Sequence, residues 1–152
     1  MKIELRNDRG WTRTIHTEAE LEAPSSIVWR VWSDLESHSI WNPVMTRVHG
    51  RAELGAEVAV GFRAGVFVVV RCVVDGLEPE RRLSWTGGTR GLMRGHHYFE
   101  CLPLPNDRTR IIHGETFSGL LVPPLWPLLT PQLKKNYRAM NRALAAHVQT
   151  QT

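Results

Sequence analysis

Three polar side chains, His97, His113 and Glu115, stand in two consecutive strand-like stretches near the end of the chain. A carboxylate or an imidazole can take a proton from a substrate, and either can hydrogen-bond a hydroxyl or carbonyl group. Alternation of apolar and polar residues places all three side chains on the inward face of their strands. The sequence therefore predicts a polar cluster on a wall that is otherwise apolar.

A short break rich in turn residues separates the two stretches, so we expect them to form a hairpin. If the turn is centred near Asn106, His97 pairs with Glu115 and Phe99 pairs with His113. A shift of two residues would instead pair Phe99 with Glu115. In either register, opposed side chains on one face have Cβ atoms about 4.5–5.5 Å apart. The cluster then either lines a pocket or forms a structural hydrogen-bonded pair in the core.

Two histidines and a carboxylate also resemble in kind the ligands of one class of metal site. Adjacent strands rarely bring three ligands together without a further element, so we predict no metal site and no cofactor. Cys72 and Cys101 lie in apolar runs without the spacing of a disulfide framework, and we expect two buried thiols. A nucleophilic role for Cys101 beside His113 is the less favoured alternative.

The chain has 152 residues, of which 42% are hydrophobic and 22% charged, and we expect residues 1–152 to form one domain. The net charge is +4, but the basic residues are scattered, and the densest clusters are pairs such as Arg81–Arg82 and Lys134–Lys135. No basic stripe with interleaved aromatic residues is present, so nucleic acid is not an expected partner.

The N-terminus is charged where a signal peptide would be apolar, and no apolar run approaches the ~18 residues of a membrane span. We therefore predict a cytoplasmic protein that does not insert stably into membranes.

The rest of the pattern predicts the elements that position the cluster. Residues 1–11 form either a short edge strand or a loose arm, 12–23 form a strand, and 24–43 form two short helices. Six more strands follow, with turn residues between them, which favours an antiparallel meander. Their predicted ranges are 44–51, 57–63, 66–77, 81–87, 93–104 and 108–119.

A long amphipathic helix closes the chain, with apolar residues at helical spacing from Leu129 to Val148. Thr130–Pro131 is the predicted start, and an earlier start with a kink is the alternative. The preceding segment, Leu120–Trp126, has the prolines and apolar residues of a lid or a partner surface. Only this helix is long enough to cover the buried face of the sheet.

These elements resemble the helix-grip, or SRPBCC, superfamily, which includes START-like, Bet v 1-like and polyketide cyclase/dehydratase-like proteins. The resemblance rests on Ala23–Trp29, on Trp41–Asn42–Pro43 and on His113–Gly119. It implies an α+β fold, in which a curved antiparallel sheet of about seven strands wraps around the C-terminal helix and encloses a cavity. It implies no universal catalytic residue.

The face assignments and the implied cavity together predict the residues that contact a ligand, although the aromatic ones would look the same as plain core. The predicted ligand-binding residues are Trp41, Val70, Cys72, Trp85, His97, Phe99, Cys101, His113, Glu115, Phe117, Trp126, Leu133, Tyr137 and Met140.

Three functions are compatible with this pattern. The first is binding of a small hydrophobic or aromatic molecule, lipid-like or polyketide-like, whose polar end meets the cluster. The second is an enzyme resembling polyketide cyclases, in which Glu115, His113 or His97 removes a proton next to a carbonyl group. The third is a protein-interaction module with a vestigial pocket. The ligand's identity and the oligomeric state, monomer or homodimer, stay open.

Overall fold

The computed structural model describes residues 1–151, apart from the side chain of Ala64. Eight strands form one antiparallel sheet with the order β1-β2-β8-β7-β6-β5-β4-β3. The strands are β1 (Lys2–Asn7), β2 (Thr12–Leu21), β3 (Arg47–His49), β4 (Glu57–Ala64), β5 (Val66–Glu78), β6 (Arg82–Thr89), β7 (Met93–Leu104) and β8 (Arg108–Ser118). The helices are α1 (Ser25–Ser33), α2 (His38–Trp41) and α3 (Val122–Gln149), and a 3-10 turn at Leu35–Ser37 joins α1 to α2.

The curved sheet closes around α3, so the predicted α+β helix-grip architecture is confirmed. The long helix packs against β2 and β8, and α1 packs against β7, β8 and α3. Val28, Val31 and Trp32 form the buried side of α1, as the apolar stripe of that segment predicts. The two layers bury one continuous core between them.

The N-terminal segment is an edge strand and not a loose arm. Residues of β1 pair with β2 from Lys2 opposite Glu18 to Asn7 opposite Arg13. This strand raises the count from the predicted seven to eight. It also places β1 beside the strand that pairs with β8.

The strand predicted at 44–51 is shorter in the structure, where β3 spans only Arg47–His49. The side chain of Asn42 accounts for the difference, because its Oδ1 accepts hydrogen bonds from the backbone N–H groups of Val44 (3.0 Å) and Met45 (2.9 Å). A side chain that binds the backbone in this way competes with strand pairing.

The long helix begins at Val122, eight residues before the predicted start at Thr130, which agrees with the alternative of an earlier start. Residues 122–126 are therefore the first turn of the helix and not a separate connecting segment. Proline is tolerated in the first helical turn, where the N–H groups have no partner within the helix. Two further prolines, Pro127 and Pro131, lie inside the helix and are exposed. Solvent can therefore reach this side of the helix, where their missing N–H groups leave backbone carbonyls without the usual donor.

None of the helices in residues 1–151 is long and apolar enough to cross a membrane.

Candidate functional site

A cavity of about 400 Å³ lies between the sheet and the middle of α3, from Leu129 to Met140. This volume is within the range of small-molecule sites. Its wall is mostly apolar, and its polar groups are few. The lining residues are Val44, Met45, Val60, Phe62, Val68, Val70, Cys72, Trp85, Gly87, Gly88, Thr89, Met93, Gly95, His97, Glu115, Phe117, Leu129, Gln132, Leu133, Asn136, Tyr137 and Met140.

The predicted register of the β7–β8 hairpin is confirmed: His97 pairs with Glu115, and Phe99 pairs with His113. Pro105, Asn106 and Asp107 form a three-residue turn between the paired Leu104 and Arg108, and Asn106 and Asp107 have φ angles of 63° and 52°, in the left-handed region. The turn residues, therefore, fix which polar side chains meet on the concave face.

A chain of four buried residues connects this face of the sheet to α3. His97 Nε2 lies 2.9 Å from His113 Nε2, and His113 Nδ1 lies 2.7 Å from Asn141 Oδ1. Asn141 Nδ2 donates to Thr17 Oγ1 at 2.9 Å, and the Thr17 hydroxyl donates to the His113 carbonyl oxygen at 2.6 Å. The chain joins β7, β8, α3 and β2.

The partners in this chain determine which ring nitrogens carry hydrogen. Asn141 Oδ1 can only accept, so His113 donates from Nδ1, and its Nε2 must accept the hydrogen bond from His97 Nε2–H. A neutral His97 then carries no hydrogen on Nδ1. That atom is buried and has no hydrogen-bond partner within residues 1–151.

Burial keeps both histidines neutral. It lowers the pKa of His113 to about 4, although the hydrogen bond to Asn141 acts in the opposite direction. Burial is the main cause that holds the pKa of His97 well below its usual range. Repulsion between the two rings, if both were protonated, lowers this pKa further. The ring of His97 also stacks on Trp85, with centroids 4.5 Å apart and planes at 13°. The imidazole rings of His97 and His113 are thus an uncharged pair that is held in place by packing.

Glu115 is not part of that chain but forms its own polar group with α3. Its Oε2 accepts a hydrogen bond of 3.1 Å from the Tyr137 hydroxyl. No donor within residues 1–151 reaches Oε1, which lies against Gly95 on β7. Loss of hydration raises the pKa of the Glu115 carboxyl to about 7, while the bond from Tyr137 lowers it. The site therefore contains a carboxyl group that can hold or release a proton near neutral pH.

Glu115 is the sole acidic side chain among the lining residues, and no lysine or arginine is among them. Burial raises the pKa of the nearby Cys72 thiol to about 12, so that group stays protonated. The polar end of the cavity thus bears a negative charge or none.

Nine of the predicted ligand-binding residues line the cavity. They are Val70, Cys72, Trp85, His97, Glu115, Phe117, Leu133, Tyr137 and Met140.

Three predicted residues point inward but lie beneath other side chains, which corrects their assignment to the cavity wall. Phe99 is covered by Trp32 of α1, with ring centroids 4.0 Å apart. Cys101 lies farther along β7 and is completely buried, as is His113, which has the Tyr137 ring at 4.6 Å. Strand alternation gives the correct face, whereas the depth at which α1 closes the cavity depends on the tertiary packing.

Two predicted tryptophans lie outside the cavity for a different reason. Trp41 packs between the rings of His38 and His147, toward the C-terminal end of α3. Trp126 packs on Phe117, with ring centroids 6.0 Å apart. Trp41 fills the contact between α2 and α3, Trp126 fills the contact between α3 and β8, and neither lines the cavity.

Three residues of the site were not predicted from the sequence: Asn141 and Thr17, which orient the histidines, and Gly95, which accommodates Glu115. Asn141 follows Tyr137 by four residues and therefore lies next to the apolar stripe of α3. A polar residue on the buried side of a long amphipathic helix was the available signal. Gly95 carries no comparable signal, because isolated glycines occur in strands for several reasons.

The fold and the apolar cavity place the protein in the class of helix-grip proteins. The chain belongs to the polyketide cyclase/dehydrase and lipid transport family, whose sequence profile matches residues 12–149. No curated protein matches the sequence.

Several solved structures share the fold at low sequence identity. The Zhui aromatase/cyclase from Streptomyces sp. R1128 is 18% identical over 91% of this chain and 94% of its own, with a TM-score of 0.75. A START superfamily protein from Mycobacterium smegmatis is 18% identical over 91% and 99%, with a TM-score of 0.73. Norcoclaurine synthase from Thalictrum flavum, solved with dopamine and hydroxybenzaldehyde, is 16% identical over 100% and 99%, with a TM-score of 0.70.

Proposed function

We propose that the protein binds a small, mostly apolar molecule in the cavity, with the polar end of that molecule at Glu115 and Tyr137. The observation that carries this proposal is the unpartnered Glu115 Oε1 inside an apolar cavity of about 400 Å³. Glu115 is half-buried, so its Oε1 is free to accept a hydrogen bond from a group in the cavity. A hydrogen bond to a charged group contributes about 1.5–3 kcal/mol, which a ligand that donates to Oε1 would gain. The solved complex of norcoclaurine synthase with two small aromatic molecules is in keeping with this use of the fold.

The charge of the site restricts which chemical group the ligand can carry at its polar end. An ionised Glu115 repels an anionic group, and no lysine or arginine lines the cavity to offset it. A hydroxyl group can donate to Oε1, and a protonated amine can do so more strongly. We infer that the ligand ends in a hydroxyl or an amine and not in a carboxylate.

Three probes with one ring system test this proposal: naphthaleneethanol, naphthaleneethylamine and naphthaleneacetic acid. At pH 8 we expect the alcohol and the amine to quench the fluorescence of Trp85 on binding, and the acid to bind at least about tenfold more weakly. The substitution Met140→Trp fills the cavity and should abolish binding. Leu128→Trp adds the same side chain on the exposed side of α3 and serves as the matched control. Equal affinity for the three probes, or binding that survives Met140→Trp, contradicts the proposal.

A second candidate function is proton-transfer catalysis resembling that of polyketide cyclases. It is favoured by the position of the Glu115 carboxyl in the cavity together with its raised pKa of about 7, which suits a general base near neutral pH. Glu115 would accept a proton from the carbon next to a carbonyl group, and the Tyr137 hydroxyl could hydrogen-bond the oxygen on which the charge develops.

Deuterium exchange separates the two candidates. An aryl β-diketone that binds in the cavity should exchange its acidic C–H for deuterium faster with the wild-type protein than with buffer, as followed by NMR. Glu115→Gln should abolish the enhancement while keeping affinity for naphthaleneethanol within about twofold, because an amide oxygen still accepts its hydrogen bond. Binding without accelerated exchange supports a carrier and overturns the catalytic candidate.

A further inference from the structure

At one end of the cavity the lining residues come from three neighbouring parts of the fold, and we infer that this end is the opening. The lining residues Phe62 and Val68 flank the tip of the β4–β5 hairpin, Thr89 and Met93 flank the tip of the β6–β7 hairpin, and Leu129 belongs to the first half of α3. Two backbone hydrogen bonds, Leu120 N–H to Gly91 O and Leu121 N–H to Leu92 O, both 3.0 Å long, hold the start of α3 against the second tip.

Each of these tips exposes a large apolar side chain to solvent. We call this set the mouth rim: Val66, Leu92, Leu121 and Leu128, with Val66 69% and Leu128 76% exposed. Leu121 and Leu128 are seven residues apart, so they lie on the same side of the start of α3. Apolar residues that are exposed together around an opening mark a surface of interaction.

The same part of the protein lacks negative charge. None of the 15 aspartate and glutamate residues falls within 58–74, 81–99 or 116–152, the segments that form the tips and the helix. The nearest acidic residues on the hairpins, such as Glu57 and Glu100, stand seven or more residues from the tips, which is at least about 23 Å at ~3.3 Å per residue. Glu115 is directed into the cavity.

Positive charges surround the mouth rim without partners. Arg63 and Arg94 lie on strands next to the tips, and Arg90 lies within one, and all three are exposed. Among the ion pairs of residues 1–151, none includes these arginines. Elsewhere, arginines pair with glutamates, as Arg108 and Arg110 do with Glu20.

We propose that the mouth rim docks on the surface of an anionic lipid bilayer, so that the opening of the cavity faces the membrane. The apolar tips would enter the interface between headgroups and acyl chains, and the three arginines would lie at the level of the anionic headgroups. An apolar molecule can then pass between bilayer and cavity without crossing water. A nucleic acid would use the positive charge but not the exposed leucines, so apolar tips beside unpaired arginines favour lipid.

Vesicle sedimentation tests this inference without any cavity ligand. We expect the purified protein to bind vesicles of phosphatidylcholine with 30% phosphatidylglycerol, to bind pure phosphatidylcholine weakly, and to be released as salt rises. Leu128→Glu should weaken binding by at least about tenfold, and Arg90→Ala by about fivefold, the usual contribution of one basic residue at such a surface.

Ile40→Glu is the matched control, because Ile40 is 78% exposed but lies on α2. That helix contacts α3 near His147, which is 19 residues and so about 28 Å from Leu128 along the helix. Binding should be unchanged by this substitution, and also by Glu115→Gln, which separates docking from ligand binding.

Three results would overturn the proposal: no binding to anionic vesicles, an equal loss with Ile40→Glu, or full binding by Leu128→Glu. The last result, together with tight binding to single-stranded DNA that Arg90→Ala weakens, would assign the arginines to a nucleic acid instead.

Discussion

His97 and His113 share one hydrogen between their Nε2 atoms, which lie 2.9 Å apart, and only His97 can donate it. The reason lies one residue farther along the chain of contacts, where Asn141 accepts the hydrogen of His113 Nδ1. A residue of the C-terminal helix thus determines the tautomer of a histidine in the cavity wall. Residues of β7, β8, α3 and β2 together determine where the hydrogens lie in this chain of hydrogen bonds.

Replacing Asn141 by alanine should destabilise the protein by about 1–3 kcal/mol, because the buried His113 Nδ1–H loses its acceptor. Urea unfolding followed by tryptophan fluorescence measures this difference. Asn136→Ala is the control on the same helix, since its amide is at the cavity edge and its two hydrogen bonds, from Gln132 Nε2 (2.7 Å) and to Arg63 O (3.4 Å), are exposed to solvent. Similar losses for the two variants would show that the buried chain has no special role.

The stability of the protein should decrease as the pH falls from about 6.5 toward 4. Burial lowers the pKa of His38 and of His113 to about 4, and that of His97 well below its usual range. Below pH 6.5 the unfolded chain binds protons that these folded residues reject, so each histidine removes about 1.4 kcal/mol of stability per pH unit. Urea unfolding between pH 4.5 and 7.5 measures the slope.

His38→Gln should reduce that slope, because it removes one of the three buried histidines whose pKa is lowered. A free energy of unfolding that is constant or that rises toward acid would contradict the assignment of neutral histidines.

Glu115 should have the opposite effect on the pH dependence of stability, because it destabilises the folded protein as the pH rises. Its pKa is raised to about 7 in the folded protein, so its contribution to stability is fully present below about pH 4.5 and is lost as the pH rises through 7. Glu115→Gln removes this loss, and we expect the variant to gain about 3 kcal/mol relative to wild type between pH 4.5 and 8. A stability difference that does not vary with pH would show that the Glu115 carboxyl is ionised at all these pH values.

Gly95→Ala should weaken ligand binding but have little effect on the stability of the protein. The added methyl group would collide with Glu115 Oε1, which is at the end of a flexible side chain and can move. We expect a stability change within about 1 kcal/mol and a roughly fivefold weaker affinity for naphthaleneethanol. The matched test is a double-mutant cycle: in a Glu115→Ala background, Gly95→Ala should have little further effect. Equal effects in both backgrounds would place the cause elsewhere in the cavity.

Much of the sheet can be predicted from the sequence because its signals are local. The turn at Asn106 and Asp107 fixes the β7–β8 register, and alternation then identifies the inward side chains, including His97 and Glu115. The edge strand β1 could not be predicted with the same certainty, because its residues show no clear alternation of apolar and polar side chains. It is a strand because its backbone pairs with β2, and that contact is not encoded in the local sequence.

The extent of the cavity could not be predicted, because it depends on how far α1 covers the sheet. Phe99 faces the same side as His97 but lies under Trp32, and no periodicity in either segment encodes that contact. The hydrogen-bond chain was missed for a similar reason. His113 and Asn141 are 28 residues apart, and only the packing of α3 on the sheet brings them together.

The prolines of α3 divide the helix into two halves of unequal strength. Pro123, Pro127 and Pro131 are spaced by four residues, so the carbonyl groups of Pro123 and Pro127 face positions that have no N–H to donate. The first half of the helix, which begins at Val122, therefore has fewer backbone hydrogen bonds than the second half, in which Tyr137 and Asn141 bond to β8. Amide hydrogen exchange should be fast in the first half and slow in the second. We therefore expect the helix to fray from its start, beside the hairpin tip at Gly91 and Leu92, while its second half stays bound to the sheet.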